Sequence, residues 1–131
     1  MRPIVNRFTN SLMQLLNFLN PVLLAKAFRN SLNGLAIAVK SERAFQQEVV
    51  LLVIGSIAAF LLTDMSVERA LLVGSLAIIA IVELVNSAIE AAIDRIGPEQ
   101  HELSKTAKDY GSAAVLVSLV LAAVIWLIIL V

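Results

Sequence analysis

Residues 67–96 are apolar over a length able to cross a bilayer, yet one side of that run carries carboxylates and amides. As a helix rising about 1.5 Å per residue it would be about 45 Å long, more than the about 30 Å of hydrocarbon in a bilayer. Its last turns therefore reach toward water. At about 100° per residue, Glu90 and Asp94 (i+7 and i+11) fall within about 20° of Glu83, with Asn86 and Ser87 flanking them. An ionised side chain at the bilayer centre costs about 2.5–3.5 kcal/mol even on lenient scales. Several on one face imply a use, or a buried partner for each.

Two more runs have spanning length. Residues 44–63 form the first, with Glu48 one to two turns inside it. Residues 109–131 form the third, opened by the small residues Gly111, Ser112, Ala113 and Ala114, which permit close helix packing in lipid, and with Trp126 near the far interface. The link at 63–69 is short and polar, so the first two spans are antiparallel neighbours, with Asp64 or Ser66 capping the second. The 131 residues are 60% hydrophobic and 15% charged, with a mean hydropathy of +0.91, against about 45–50% and about 25% in soluble domains. The expected fold is an all-α membrane protein of three transmembrane helices: 44–63, 67–96 and 109–131.

Residues 1–21 read as a loose amphipathic leader, and 22–131 as one membrane domain. Residues 22–41 alternate Lys26, Arg29, Asn30, Asn33 and Lys40 with apolar side chains, the pattern of a basic helix on an anionic membrane surface. Ser41 is the expected N-cap of the first span, and Gly97-Pro98 ends the second. Residues 99–108 are the one extended hydrophilic segment. Basic residues concentrate before the first span and around the second link, which predicts a cytoplasmic N-terminus and an external C-terminus. That topology gathers Glu42, Glu48, Glu83, Glu90, Asp94, Glu99 and Lys108 at the cytoplasmic boundary.

The net charge is zero, which argues against a nucleic-acid partner. With no cysteine and one histidine, thiolate chemistry is excluded and a metal site must be built mainly of carboxylates, which suit magnesium, calcium or manganese. No glycine-rich phosphate loop is present. An acidic stripe holding magnesium and a nucleotide beside a lipid hydroxyl would support phosphoryl transfer, where positioning and charge neutralisation do most of the work. The same carboxylates would also suit a small ion or proton transporter, and Lys108 with Asp109 would serve as a plain interfacial pair.

Three segments carry a family resemblance: Glu42-x-Ala44-Phe45-x-Gln47-Glu48; Val82-Glu83-x-x-Asn86-Ser87-Ala88-Ile89-Glu90-x-x-x-Asp94-Arg95-Ile96-Gly97; and His101-Glu102-Leu103-Ser104-x-x-Ala107-Lys108-Asp109-x-Gly111-Ser112-Ala113-Ala114-Val115. The chain resembles the bacterial integral-membrane diacylglycerol kinases over roughly residues 26–131. The resemblance implies a homotrimer of three-span subunits in the bacterial inner membrane, each with an N-terminal surface helix. It implies transfer of the ATP γ-phosphate to diacylglycerol, giving phosphatidic acid, with magnesium. It makes Glu83 the catalytic base and Asn86 a catalytic polar residue. Glu42 and Glu90 bind the metal–nucleotide, and Glu99, His101, Lys108 and Asp109 contact the nucleotide. Ala44, Phe45, Gln46, Gln47, Glu48 and Ser112 line the lipid site with Glu83. Sites built at subunit boundaries fit a stripe that one thin three-helix subunit cannot cover. Leu23 and Asn30 stand where well-known members carry an arginine and a tyrosine, with Lys26 or Arg29 left to substitute. A related branch phosphorylates undecaprenol. The loop Gly97-x-Glu99-x-His101-Glu102-Leu103-Ser104 looks like the diacylglycerol branch.

Overall fold

The computed structural model describes residues 20–97, 99 and 101–131. Most of the leader, residues 1–19, lies outside them, as does Pro98. The described residues fall into two compact units, one running through Ile37 and the other from Ala38 to Val131. Four helices are present among the described residues: α1 Pro21–Ser41, α2 Arg43–Leu62, α3 Ser66–Ile96 and α4 Glu102–Leu130. The last three are long and apolar enough to cross a membrane.

Helix α1 starts where the chain chemistry favours a start. The Asn20 side chain accepts a hydrogen bond from the Val22 amide at 3.0 Å, and Pro21, whose missing N–H would have had no helical partner, takes the first helical position. Within the chain α1 is exposed from Pro21 through Ile37.

Helix α3 is the hub of the second unit, packed against both α2 and α4. Its buried residues are Leu72, Ser75, Leu76, Ile79, Ala80, Glu83 and Asn86. Steps of three or one between them, ending on two steps of three, trace one helical face. The acidic stripe read from the sequence is therefore the polar continuation of the packing face. Leu76 and Ile79 pack with Ala122 of α4, flanked by Leu52 and Trp126. Trp126 is half-buried there, and its indole N–H donates to the Leu72 carbonyl at 3.3 Å. Packing on α3 therefore accounts for its position, in addition to any interface role. Gly55 lets α2 approach α3, since a Cβ there would overlap the Leu76 side chain.

The expected caps differ from those found. Ser41 closes α1, and the N-cap of α2 is Glu42, without a side-chain cap bond. The N-cap of α3 is Met65, again without one. Of the two expected caps, Ser66 is the first residue inside α3, and Asp64, with Thr63 beside it, is committed elsewhere. Arg69 donates to the Thr63 carbonyl at 2.7 Å, the Phe60 carbonyl at 3.3 Å and Asp64 at 3.0 Å, and lies 5.0 Å over the Phe60 ring. Thr63 donates to the Glu68 carboxylate. This clasp supplies donors to carbonyls that the end of α2 leaves without helical partners. Gly97 ends α3 at φ 147°, a backbone conformation that side chains disfavour. Helix α4 begins at Glu102, inside the segment read as hydrophilic, because His101 caps it: its Nδ1 accepts from the Leu103 amide at 3.1 Å.

Candidate functional site

Along α3, chemistry follows depth. Glu83 is 6% exposed and Asn86 7%, while Glu90 is half-buried and Asp94 exposed. From Glu83 to Asp94 the stripe climbs about 16 Å at about 1.5 Å per residue. Glu48 of α2, 9% exposed, adds a third buried polar side chain. Glu48 and Glu83 act on each other through their charges, and Glu83 also feels Glu90 and Glu42. Carboxylates at the start of α2 and in the middle of α3 thus lie within range of one another's charges. Asn86 donates from Nδ2 to Glu90 at 3.3 Å. Its Oδ1, and Oε2 of Glu48, have no hydrogen-bond partner among the described residues. Buried oxygens without a donor are costly unless something else supplies one.

One chain covers the deep half of this stripe and leaves the shallow end, at Glu90 and Asp94, open. The Glu83–Asn86 section lies on the packing face of α3, and Gly111 of α4 lets α4 approach Asn86 closely. Phe45, also buried, packs with Ala38 and Ala80 at the same level.

The shallow end opens into a cleft of about 660 Å³ lined by Asp94, Glu99, His101, Lys105, Lys108 and Asp109, among others. Of the six residues expected at the nucleotide, Glu99, His101, Lys108 and Asp109 share this one cavity, of a size usual for small-molecule sites of about 300–1,000 Å³, while Glu42 and Glu90 do not line it. Lys108 does not pair with its neighbour Asp109. It reaches across to Asp94 of α3 at 2.5 Å, tying the polar ends of α3 and α4. Asp94 was legible as a member of the stripe, but its partner was not.

The remaining lipid-site candidates are not drawn in. Ala44, Gln46, Gln47 and Ser112 are exposed. Gln46 donates to the Val39 carbonyl at 2.9 Å, bracing the end of α1. Gly111, beside Ser112, is the site-facing position missed: it reads only as one small residue among four, although it is buried against Asn86.

For a metal, the donor chemistry fits magnesium. Among the described residues no group of three or more His, Asp or Glu side chains could hold an ion alone. Magnesium is commonly bound by one or two carboxylates, completing its shell with water and substrate phosphate. Glu42 and Glu90, both felt by Glu83, are carboxylates of the right type, and a divalent cation would relieve the repulsion within the cluster.

Fold and site together define a class: a three-span, all-helical membrane protein with a buried carboxylate stripe leading to a polar cleft. Within that class the chain belongs to the prokaryotic diacylglycerol kinase family, whose model matches residues 29–130. It is 47% identical over 105 residues to the diacylglycerol kinase of Escherichia coli K12, covering 80% of this chain and 86% of the relative. It is 49% identical over 96 residues to that of Pseudomonas aeruginosa, covering 73% and 78%. To that of Haemophilus influenzae it is 41% identical over 103 residues, covering 79% and 87%.

Proposed function

We propose that this chain phosphorylates sn-1,2-diacylglycerol with ATP, giving phosphatidic acid at the cytoplasmic face of the inner membrane. The observation that carries the reading is the single stripe from buried Glu83, through Asn86 and Glu90, to a cleft lined by Glu99, His101, Lys108 and Asp109. It sits in a chain whose relatives are named diacylglycerol kinases. A lipid hydroxyl approaches such a stripe from the apolar end and a nucleotide from the polar end.

In this reading Glu83 accepts the proton of the lipid hydroxyl as its oxygen bonds to the γ-phosphorus. The bond from that phosphorus to the β,γ-bridging oxygen breaks, and ADP leaves. Glu83 lies about 10 Å deeper than Glu90, by about 1.5 Å per residue over seven residues. That order suits base chemistry at the lipid and charge neutralisation at the phosphates. Asn86 orients the Glu90 carboxylate through its amide. Glu42 and Glu90 are the residues that would hold magnesium, which supplies neutralisation of phosphate charge when bound. Lys108, steered by Asp94, sits where a cation would meet phosphate oxygens, and Glu99, His101 and Asp109 line the nucleotide side. Phe45 and Glu48 form the buried part of the lipid site, with Ala44, Gln46, Gln47 and Ser112 around it. The exposed members suit completion of the site by neighbouring copies in a homotrimer. The basic N-terminal segment supports a cytoplasmic N-terminus and external C-terminus.

The test is phosphate transfer from labelled ATP in mixed micelles offering diacylglycerol and undecaprenol side by side, with and without magnesium. The expected product is labelled phosphatidic acid that requires magnesium. Label on undecaprenol alone would move the chain to the other branch of the family. No label on either lipid would overturn the kinase reading.

A further inference from the structure

We propose that Gly111 is a positioning residue for phosphoryl transfer: the space left by its missing side chain holds the Asn86 amide in the orientation that donates to Glu90. The inference rests on the kinase reading above, and extends it to a position with no functional group of its own.

Gly111 is buried on α4, facing α3. A Cβ built on it would overlap Asn86 Oδ1 and stand 3.2 Å from Cγ and 3.8 Å from Cα of the same residue. Apart from the adjoining residues and backbone of α4, the three heavy atoms nearest that absent atom all belong to Asn86. The other described glycines differ. A Cβ on Gly34, Gly74 or Gly97 would meet nothing within 4 Å, and one on Gly55 would meet the apolar side chains of Leu76 and Trp126. Gly111 alone among them is vacant toward a polar side chain of the site.

The consequence follows from the Asn86 amide itself. Its nitrogen donates to Glu90 at 3.3 Å, while its oxygen is buried without a partner beside Gly111. The side chain has few helical rotamers to choose from, since one of the three staggered χ1 wells drives it into the preceding turn. A methyl group at residue 111 takes the volume that the amide oxygen occupies. The amide must then turn, and a turned amide no longer presents its N–H₂ to Glu90. Glu90 would lose the bond that orients it toward the phosphates. Gly111 thus acts through Asn86, and through Asn86 on Glu90, without touching substrate.

The experiment is a double-mutant cycle on the full chain in mixed micelles with diacylglycerol and magnesium–ATP, comparing wild type, Gly111→Ala, Asn86→Ala and the double variant. The expected result is a fall in kcat of about tenfold or more for Gly111→Ala. In the Asn86→Ala background, where the obstructed amide is gone, the same substitution changes kcat by less than about twofold. A second readout needs no turnover: the Asn86 side-chain amide resonances, assigned by their loss in Asn86→Ala, shift in Gly111→Ala. Equal losses in both backgrounds would overturn the proposal, because the methyl would then act on packing alone. So would a Gly111→Ala enzyme at the wild-type rate beside an inactive Asn86→Ala, an outcome that leaves the kinase reading standing. Full activity of Asn86→Ala would overturn this inference together with the assignment of Asn86. If Gly111→Ala does not fold, the shorter side chain in Asn86→Ser/Gly111→Ala restores folding where the clash is with the amide. Failure of that rescue also overturns the proposal.

Discussion

Glu83 forms no ion pair among the described residues, although Glu48, Glu90 and Glu42 all press on it with like charge. A side chain kept at such a place is costing the fold something. Glu83→Gln keeps the shape and removes one repelling charge, so the variant is expected to fold and assemble as well as the parent. Its turnover is expected to fall by about 10²–10⁴, the usual share of a general base. Kinase assay beside size-exclusion chromatography checks both halves. Near-normal turnover would remove Glu83 from the role of base. At this scale the sequence was informative wherever a residue's chemistry contradicted its surroundings. Glu83 and Asn86 stand out because polar groups in a spanning helix are expensive. Gly111 contradicts nothing locally, and its importance lies in a neighbour 25 positions away in the chain.

The helices were legible in number and order, and less so in where they begin. Residues 99–108 are hydrophilic, and hydropathy distinguishes water from lipid without distinguishing helix from coil. Helix α4 therefore starts at Glu102, earlier than its apolar run would suggest. Its start depends on the His101 cap. Loss of an N-cap costs about 0.5–2 kcal/mol, so His101→Ala is expected to lower the melting temperature of the ligand-free protein, and His101→Asp to restore it. Thermal unfolding in detergent separates that effect from any role of His101 at the nucleotide. A further element-scale prediction concerns the approach of α2 to α3. Gly55→Leu forces a branched side chain into the space of Leu76, and overpacking of this kind typically costs about 1–3 kcal/mol. Unfolding of the variant in detergent is expected at correspondingly lower temperature or denaturant. Unchanged stability would mean that α2 and α3 slide apart at no cost.

Across the whole molecule, α2 and α4 keep wide apolar surfaces. Val50, Val53, Ile57 and Phe60 on one, and Leu116, Val117, Val120 and Ile128 on the other, are exposed within the chain. Lipid or further copies of the chain must cover them. A homotrimer, the assembly that the family resemblance implies, would cover them together with the exposed lipid-site candidates Ala44, Gln46, Gln47 and Ser112, and we expect three copies to associate. Light scattering after chromatography in mild detergent should return the mass of a trimer. A fully active monomer would overturn that expectation and leave the single-chain stripe as a sufficient site.

Membrane residence, three spans and an acidic face on the second of them follow from composition along the chain, because hydropathy and helical period are local properties that survive whatever the helices pack against. The partnerships follow from packing. Lys108 meets Asp94 instead of Asp109, Glu48 comes to share buried space with Glu83, and Asn86 fits against Gly111, because α2 and α4 settle at particular rotations and depths on α3. Those rotations are chosen by interlocking side chains such as Gly55 with Leu76, and Ala122 and Trp126 with the face at Leu72–Ile79. No helical period encodes a rotation relative to another helix, so the site's contents were readable one residue at a time, and its geometry only once the three helices were packed.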